Sequence, residues 1–284
     1  MNISLVSFAS KSWENAGYRF LSQATSTGIF SNIKIFTEED LNKDTAFFLE
    51  NQEFVNLHPM GFGGWVWKPY VINWAFSNFT NSDYIMYLDI GSEFNINKNT
   101  VGRFYDYVAT ANQEGIFAFR NRDLEQNLTH CSVIDNIYSE AKNSRQFEAN
   151  SLIFTNNQTS RMIVSDWLNS CVDNNYFNVN PVDRYNCCEY WGGTHLHDQS
   201  VLSCILKKNN IKGVSDEASW YLPGHSVYST MSQNRLNYPL FTARNPFKQS
   251  IIDKDCIKYK EFSTCIHTSD FETCRDIITV RQTS

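Results

Sequence analysis

The run Tyr84-Ile-Met-Tyr-Leu is β-branched and aromatic, long enough for one buried strand, and it stops at Asp89 with Gly91 close behind. A carboxylate then sits at the carboxyl end of a central strand, the edge at which open α/β sheets bind ligands. Gly91 would let the backbone bend there or approach a bound group. A plain strand-ending aspartate fits the same residues, so the segment before it carries the weight.

That segment is His58-Pro-Met-Gly-Phe-Gly-Gly-Trp-Val-Trp-Lys-Pro-Tyr70. Pro69 suits a first helical turn, and Val71, Ile72, Trp74, Ala75 and Phe79 then recur at helical spacing. Helix N-termini attract anions, and Lys68 adds a full charge. Trp65 and Trp67 fit a core as well as a sugar platform. A basic helix start beside an acidic strand end is what a metal-bound or lysine-bound diphosphate needs.

The rest of the chain alternates. Ile3 to Phe8 and Asn32 to Phe36 read as strands flanking a helix that Gly28 can close. A helix from Asn97 buries Phe104, Tyr107 and Val108, Gly115 to Phe119 is a strand, and Phe147 to Thr155 is a strand before a helix from Ser160 to Cys171. The order predicts an α/β fold with a sheet mostly parallel near its centre. Arg120 to Thr129 reads as a polar loop over the site, and the Asn- and Tyr-rich stretch from Asp173 to Gly193 as a binding loop or lid.

Charge and length narrow the partners. The chain has 284 residues and a net charge of −6, which argues against a nucleic-acid partner held by phosphate contacts. No stretch of about 18 uncharged apolar residues exists to span a membrane. Met1 to Phe8 lacks the basic and long apolar regions of a signal peptide and reads as a first strand, and the eight scattered cysteines then read as reduced in a cytoplasmic protein.

Thr194-His-Leu-His-Asp-Gln-Ser200 precedes Val201, Leu202, Ile205 and Leu206, an amphipathic helix for which Asp198 fits as N-cap. A His-x-His pair followed by Asp also resembles a zinc-hydrolase motif. Asp198 directly follows His197, however, and Gln199 and Ser200 come next, so the pattern fails; Cys187 and Cys188, being adjacent, make poor ligands for one metal.

Gly-Phe-Gly-Gly-Trp-Val-Trp-Lys-Pro-Tyr, a helix and Tyr-Leu-Asp-Ile-Gly-Ser-Glu together resemble a family of GT-A glycosyltransferases from microbial surface-polysaccharide clusters, large viruses and phages. Phe147-Glu-Ala-Asn-Ser-Leu-Ile-Phe-Thr, Trp167-Leu-Asn-Ser-Cys171 and His197-Asp-Gln-Ser-Val-Leu extend the resemblance over roughly residues 3 to 245. The sequence departs from the family's pattern at Ile90 and Ser92, where Ala and Cys are usual, and at Ala149-Asn150, where Ala-Gly is usual.

The resemblance implies a mixed, mostly parallel GT-A sheet with helices on both faces in a single domain of residues 1–250, followed by an appendage over 251–284. It implies a sugar-nucleotide donor, UDP-linked, and a glycan or lipid-linked saccharide acceptor. Ser7, Phe8, Trp67, Lys68, Asp89, Gly91, Asn150, His197 and Arg244 become donor contacts, although Ser7 and Phe8 fit an ordinary core. The Asp-Gln pair resembles that of retaining enzymes such as the lipopolysaccharide galactosyltransferases and glycogenin. Asp198 would hold sugar hydroxyls and Gln199 would lie beneath the anomeric carbon. Glu148 is a further sugar contact or else a solvated edge residue. Only one carboxylate of the usual Asp-x-Asp is present, so an Mn²⁺ or Mg²⁺ ion would draw on Asp89, Glu93 and His225. No second carboxylate stands out as an inverting base, which favours retention. The rival readings are a catalytically silent nucleotide- or glycan-binding module and a zinc-dependent hydrolase.

Overall fold

A computed structural model describes residues 1–43, 45–57, 61–172, 195–218, 237–242 and 248. The chain begins with β1 (Ile3–Ala9), α1 (Glu14–Thr27), β2 (Phe30–Thr37), α2 (Glu38–Lys43) and α3 (Thr45–Leu57). A short turn, α4 (Gly61–Gly64), leads into α5 (Trp67–Asn78), β3 (Tyr84–Leu88), β4 (Ser92–Phe94) and α6 (Val101–Glu114). Next come β5 (Ile116–Leu124), α7 (Glu125–Leu128), α8 (Cys131–Ile137), β6 (Arg145–Thr155) and α9 (Gln158–Val172). Then α10 (His197–Lys208), β7 (Val214–Ser215) and β8 (Leu240–Thr242) follow.

Six strands form one sheet in the order β2-β1-β3-β6-β5-β7, and β4 pairs with β8 in a second, two-stranded sheet. Every residue of β1 is buried, as expected of a strand covered on both faces. One face packs on Val71 and Ile72 of α5, Trp167 of α9 and Leu202 of α10; the other packs on Phe20 of α1 and Phe104 and Tyr107 of α6. The molecule is therefore a mixed α/β fold with helices on both faces of a mostly parallel sheet. Gly28 closes α1 in the left-handed conformation, where glycine carries no Cβ penalty.

Strand direction is where the structure refines the sequence reading. β6 lies between β3 and β5 and is antiparallel to both, while β1 is parallel to β2 and β3, and β5 to β7. β3 and β5 consequently point the same way, and their carboxyl ends share one edge. The stretch from Arg120, expected as a loop, instead continues β5 to Leu124 and then turns through α7.

β6 also carries a large irregularity. Between the pairs Ala118↔Leu152 and Arg120↔Phe147, β5 advances two residues while β6 advances five. A bulge re-aims side chains and adds local twist. Here it shifts the alternation, so Phe147 and Ala149 join the core face of Leu152 and Phe154 while Ile153 faces the other way. The extra residues are those beside Asp89: the Asp89 amide donates to the carbonyl of Asn150 at 2.8 Å.

Among the described residues, no helix is long and apolar enough to cross a membrane. Cys171 and Cys204 are free and buried. Cys131 is disulfide-bonded, against the expectation that all eight cysteines are reduced. The stretch 173–193, His225, Arg244, Cys187, Cys188 and the tail 251–284 lie outside the described residues.

Candidate functional site

The glycine-rich segment forms a left-handed turn. Gly61, Phe62, Gly63, Gly64 and Trp65 carry φ of 65°, 53°, 84°, 60° and 66°, a conformation that costs roughly 1–2 kcal/mol for each residue bearing a Cβ. A Cβ on Gly61 would come within 2.5 Å of the Trp65 ring, and one on Gly63 within 2.8 Å of Val55. The turn is locked to the next helix when Trp67 Nε1 donates to the Gly61 carbonyl at 2.8 Å. The Trp67 ring is buried against Phe8, centroids 4.2 Å apart. Trp67 is thus a core residue, and its neighbour Lys68 is carried inward with it.

Lys68 is 4% exposed. Its ammonium lies 3.3 Å from Asp89 Oδ1 and 3.1 Å from Asp198 Oδ2, and it donates to the Ala149 carbonyl at 3.1 Å. Burial opposes its charge, yet the Asp198 and Asp89 carboxylates raise its pKa above the ordinary lysine value. Three residues from distant parts of the chain, on α5, after β3 and on α10, therefore meet at one point. Its partners already match the ammonium, so Lys68 organises two carboxylates rather than waiting free for an anion.

Tyr87 completes this arrangement. Its hydroxyl donates to Asp89 Oδ1 at 2.5 Å, and its ring lies under the Lys68 ammonium, 5.3 Å from centroid to nitrogen. Burial and the neighbouring Asp89 raise its pKa well above that of a free phenol, so the hydroxyl stays a donor. The sequence analysis missed Tyr87, although a tyrosine two residues before a strand-end aspartate lies on the same strand face. Asp89 remains open to solvent, with 43% of its side chain exposed. Gly91 lies in the tight turn after it, closed by Ser92 N donating to the Asp89 carbonyl at 2.9 Å.

Asp198 is not the N-cap expected from the sequence. Leu196 holds that place without a side-chain cap bond, and Asp198 lies inside the first turn of α10, with its backbone carbonyl accepting Trp167 Nε1 at 2.9 Å. This frees the carboxylate to meet Lys68. Burial pushes its pKa from the ordinary 3.8 up to about 6, against the pull of Lys68. A raised carboxyl pKa contributes stability that is fully present below the unfolded value and lost as pH rises through the folded one. Asparagine mimics the protonated acid, so comparison with Asp198→Asn isolates this group. The stability advantage of wild type over the variant should shrink by about 3 kcal/mol between about pH 3 and pH 8 in denaturant titrations. A pH-independent difference would contradict the buried, desolvated carboxylate.

Gln199 is held at both ends of its amide. Its Oε1 accepts from Ala149 N at 3.2 Å, and its Nε2 donates to Gln146 Oε1 at 2.6 Å. Gln146 is fully buried and donates in turn to Glu125 Oε1 at 3.2 Å. The sequence analysis also missed Gln146 and Glu125; a polar residue opening the apolar β6 run was the available signal. In the bulge, Asn150 donates to Glu148 Oε2 at 2.7 Å, and Glu148 is buried rather than a solvated edge residue. Asn150 Oδ1 and Ser151 Oγ are buried with no hydrogen-bond partner among the described residues. Such atoms cost about 1–3 kcal/mol each unless something supplies the bond.

Other expected contacts fall elsewhere. The Ser7 hydroxyl donates to the Leu88 carbonyl at 2.6 Å, tying β1 to β3, and Phe8 stacks between Phe62 and Trp67. Both are built into the core. Glu93 is fully buried, where Gln23 Nε2 donates to Oε2 at 3.0 Å and Arg19 Nε lies 4.0 Å from Oε1. Its carboxylate therefore braces α1 and does not join Asp89. His197 packs on Trp65 (5.4 Å) and on His195 (5.6 Å), whose Nδ1 accepts from His130 N at 3.3 Å. Among the described residues no group of three or more His, Cys, Asp or Glu could hold a metal ion. The described histidines therefore provide no zinc site by themselves.

No family model matches the sequence, and no curated protein matches it. Solved structures similar to this chain include three at 10% identity. Mouse xyloside xylosyltransferase 1 has a TM-score of 0.44 over 86% of this chain and 98% of that one. The bifunctional glycosyltransferase WbbM has 0.48 over 86% and 46%. A glycosyltransferase involved in glycosylation of the major capsid of PBCV-1 has 0.44 over 93% and 99%. At these values the likeness carries no functional argument.

Proposed function

We propose that this chain is a retaining glycosyltransferase that moves a sugar from a UDP-linked donor to a glycan or lipid-linked saccharide. The observation that carries the reading is the buried Lys68 ammonium gathering Asp89 and Asp198 beside the unpartnered Asn150 oxygen. Sugar hydroxyls are the ligand chemistry that such a place accepts. Asp198 accepts hydrogen bonds from the donor sugar, Asn150 Oδ1 from another hydroxyl, and Gln199 sits beneath the anomeric carbon. An amide is a weak nucleophile, so Gln199 stabilises developing positive charge through its carbonyl oxygen.

With Asp198 ionised, the Lys68, Asp89 and Asp198 trio carries a net charge of about −1, and the Asp89 side chain is partly exposed. A lone carboxylate does not make a resident metal cage. It does fit a Mg²⁺ or Mn²⁺ ion that arrives on the diphosphate, since Mg²⁺ is commonly held by one or two carboxylates together with substrate phosphates. Asp89 would hold that ion, which would offset the charge left on the departing diphosphate.

The test is a panel of UDP- and GDP-sugars with and without Mn²⁺, read as nucleotide release. Slow hydrolysis of one donor is expected, falling at least about 100-fold in Asp89→Ala. Product stereochemistry by NMR would read retention. Donor binding without turnover under all conditions would replace the transferase with a silent binding module.

A further inference from the structure

Asp198 and Asp89 share the Lys68 ammonium unequally. The Lys68–Asp198 contact, 3.1 Å, joins two buried side chains, whereas Asp89 stands 3.3 Å from the ammonium with its own side chain partly exposed. A lone ammonium cannot match two carboxylates, and the buried one needs it more, because an uncompensated charge costs most where water is excluded. Asp89 therefore depends on another group for its place. Among the described residues its closest side-chain partner is Tyr87, whose hydroxyl donates to Asp89 Oδ1 at 2.5 Å, a length typical of a hydroxyl bonded to an ionised acceptor.

Tyr87 is itself firmly fixed. It is fully buried in the sheet, paired with Val6 of β1 on one side and Leu152 of β6 on the other. Its ring packs near Trp67, centroids 6.4 Å apart, and lies 5.3 Å from the Lys68 ammonium. Residues two apart along a strand share a face, so the hydroxyl reaches the carboxylate just where β3 ends at Leu88. A phenol is also a neutral donor at physiological pH. It sets the direction of a carboxylate without cancelling its charge, as a second lysine would. The charge of Asp89 then remains for a cation to meet.

We infer that Tyr87 is the positioning residue of Asp89: its hydroxyl, more than the shared Lys68 ammonium, sets the carboxylate to receive a divalent cation that arrives on a diphosphate. The cation and the diphosphate rest on the transferase reading, and the positioning rests on the geometry of Tyr87, Asp89, Lys68 and Asp198 alone. Removing a group that hydrogen-bonds a metal-binding carboxylate typically costs about 10–100-fold in metal affinity. A residue that acts only through Asp89 can therefore carry a large functional effect.

Tyr87→Phe tests it, since it removes the hydroxyl and keeps the ring beside the ammonium. Asp89 is partly exposed, so water can replace the lost donor and the variant should melt close to wild type. Crystal structures of the two proteins should show the Asp89 carboxylate turned to another rotamer in the variant, with Lys68 and Asp198 unmoved. In calorimetric titrations, UDP affinity without divalent cation should match wild type, while the affinity of the UDP-saturated protein for Mn²⁺ should fall at least about tenfold. Adding Tyr87→Phe to Asp89→Ala should weaken Mn²⁺ binding no further, because the hydroxyl acts through that carboxylate. An additive loss in the double variant overturns the inference, as does unchanged Mn²⁺ affinity or an Asp89 side chain that keeps its wild-type place without the hydroxyl. Failure of wild type to bind UDP and Mn²⁺ sinks the transferase reading instead, and the pair of crystal structures then decides the positioning by itself.

Discussion

Lys68→Met should lower thermal stability sharply at about pH 8 and reduce donor turnover by roughly two orders of magnitude. The ammonium is buried and is the shared partner of Asp89 and Asp198. Without it, a buried carboxylate already pushed up to about 6 has lost its counterion. Breaking a buried ion pair from one side costs about 3–5 kcal/mol, because the remaining charge stays desolvated. The loss should be smaller near pH 5, where Asp198 can take a proton instead. Asp198→Asn added to Lys68→Met removes the stranded charge and should recover most of the stability. Turnover should not recover, since a displacement of about 1 Å at the reacting centre already costs roughly 100-fold. Full recovery of turnover in the double variant would reduce Lys68 and Asp198 to a structural pair.

The parts of this site that the sequence announced are those set by local pattern. A strand run ending in Asp89 and a helix starting at Lys68 follow from period and punctuation, and the structure brings the two side chains within 3.3 Å. What stayed hidden depends on strand direction and register. A period-2 pattern reads the same in either direction, so nothing in Phe147 to Thr155 announced that β6 runs antiparallel. Nor did it announce the three-residue excess that turns Asn150 toward Asp89. Helix capping misled in a comparable way. Aspartate before an amphipathic run is a common N-cap, and only the burial of α10 against β6 shows Asp198 turned to Lys68 instead. Glu93 packs away from solvent against α1, because the turn after Asp89 starts β4, which pairs with β8 and places the Glu93 carboxylate beside Gln23.

Glu125→Ala should be the most destabilising substitution away from the Lys68, Asp89 and Asp198 cluster. The Glu125 carboxylate is fully buried and accepts from Gln146, Thr129, Ser203 and Lys207, linking β6 and α10 to the start of α7. Truncation strands the largely buried Lys207 ammonium and removes acceptors from three further donors. The expected cost is about 3–5 kcal/mol, or roughly 6–20 °C in melting temperature for a domain of this size. Glu125→Gln keeps the shape and several hydrogen bonds but not the charge, and should lie between. Glu125→Leu with Lys207→Met removes both charges at similar volume and should restore much of the loss, as replaced buried pairs often do. The same network fixes Gln146 and, through it, the amide of Gln199. The Leu/Met variant should therefore regain stability while donor turnover stays below wild type, because Gln146 has lost its charged acceptor and keeps only the neutral ones on Leu128, Thr129 and Ser200. Parallel recovery of both quantities would mean that the Gln199 amide holds its position without this support.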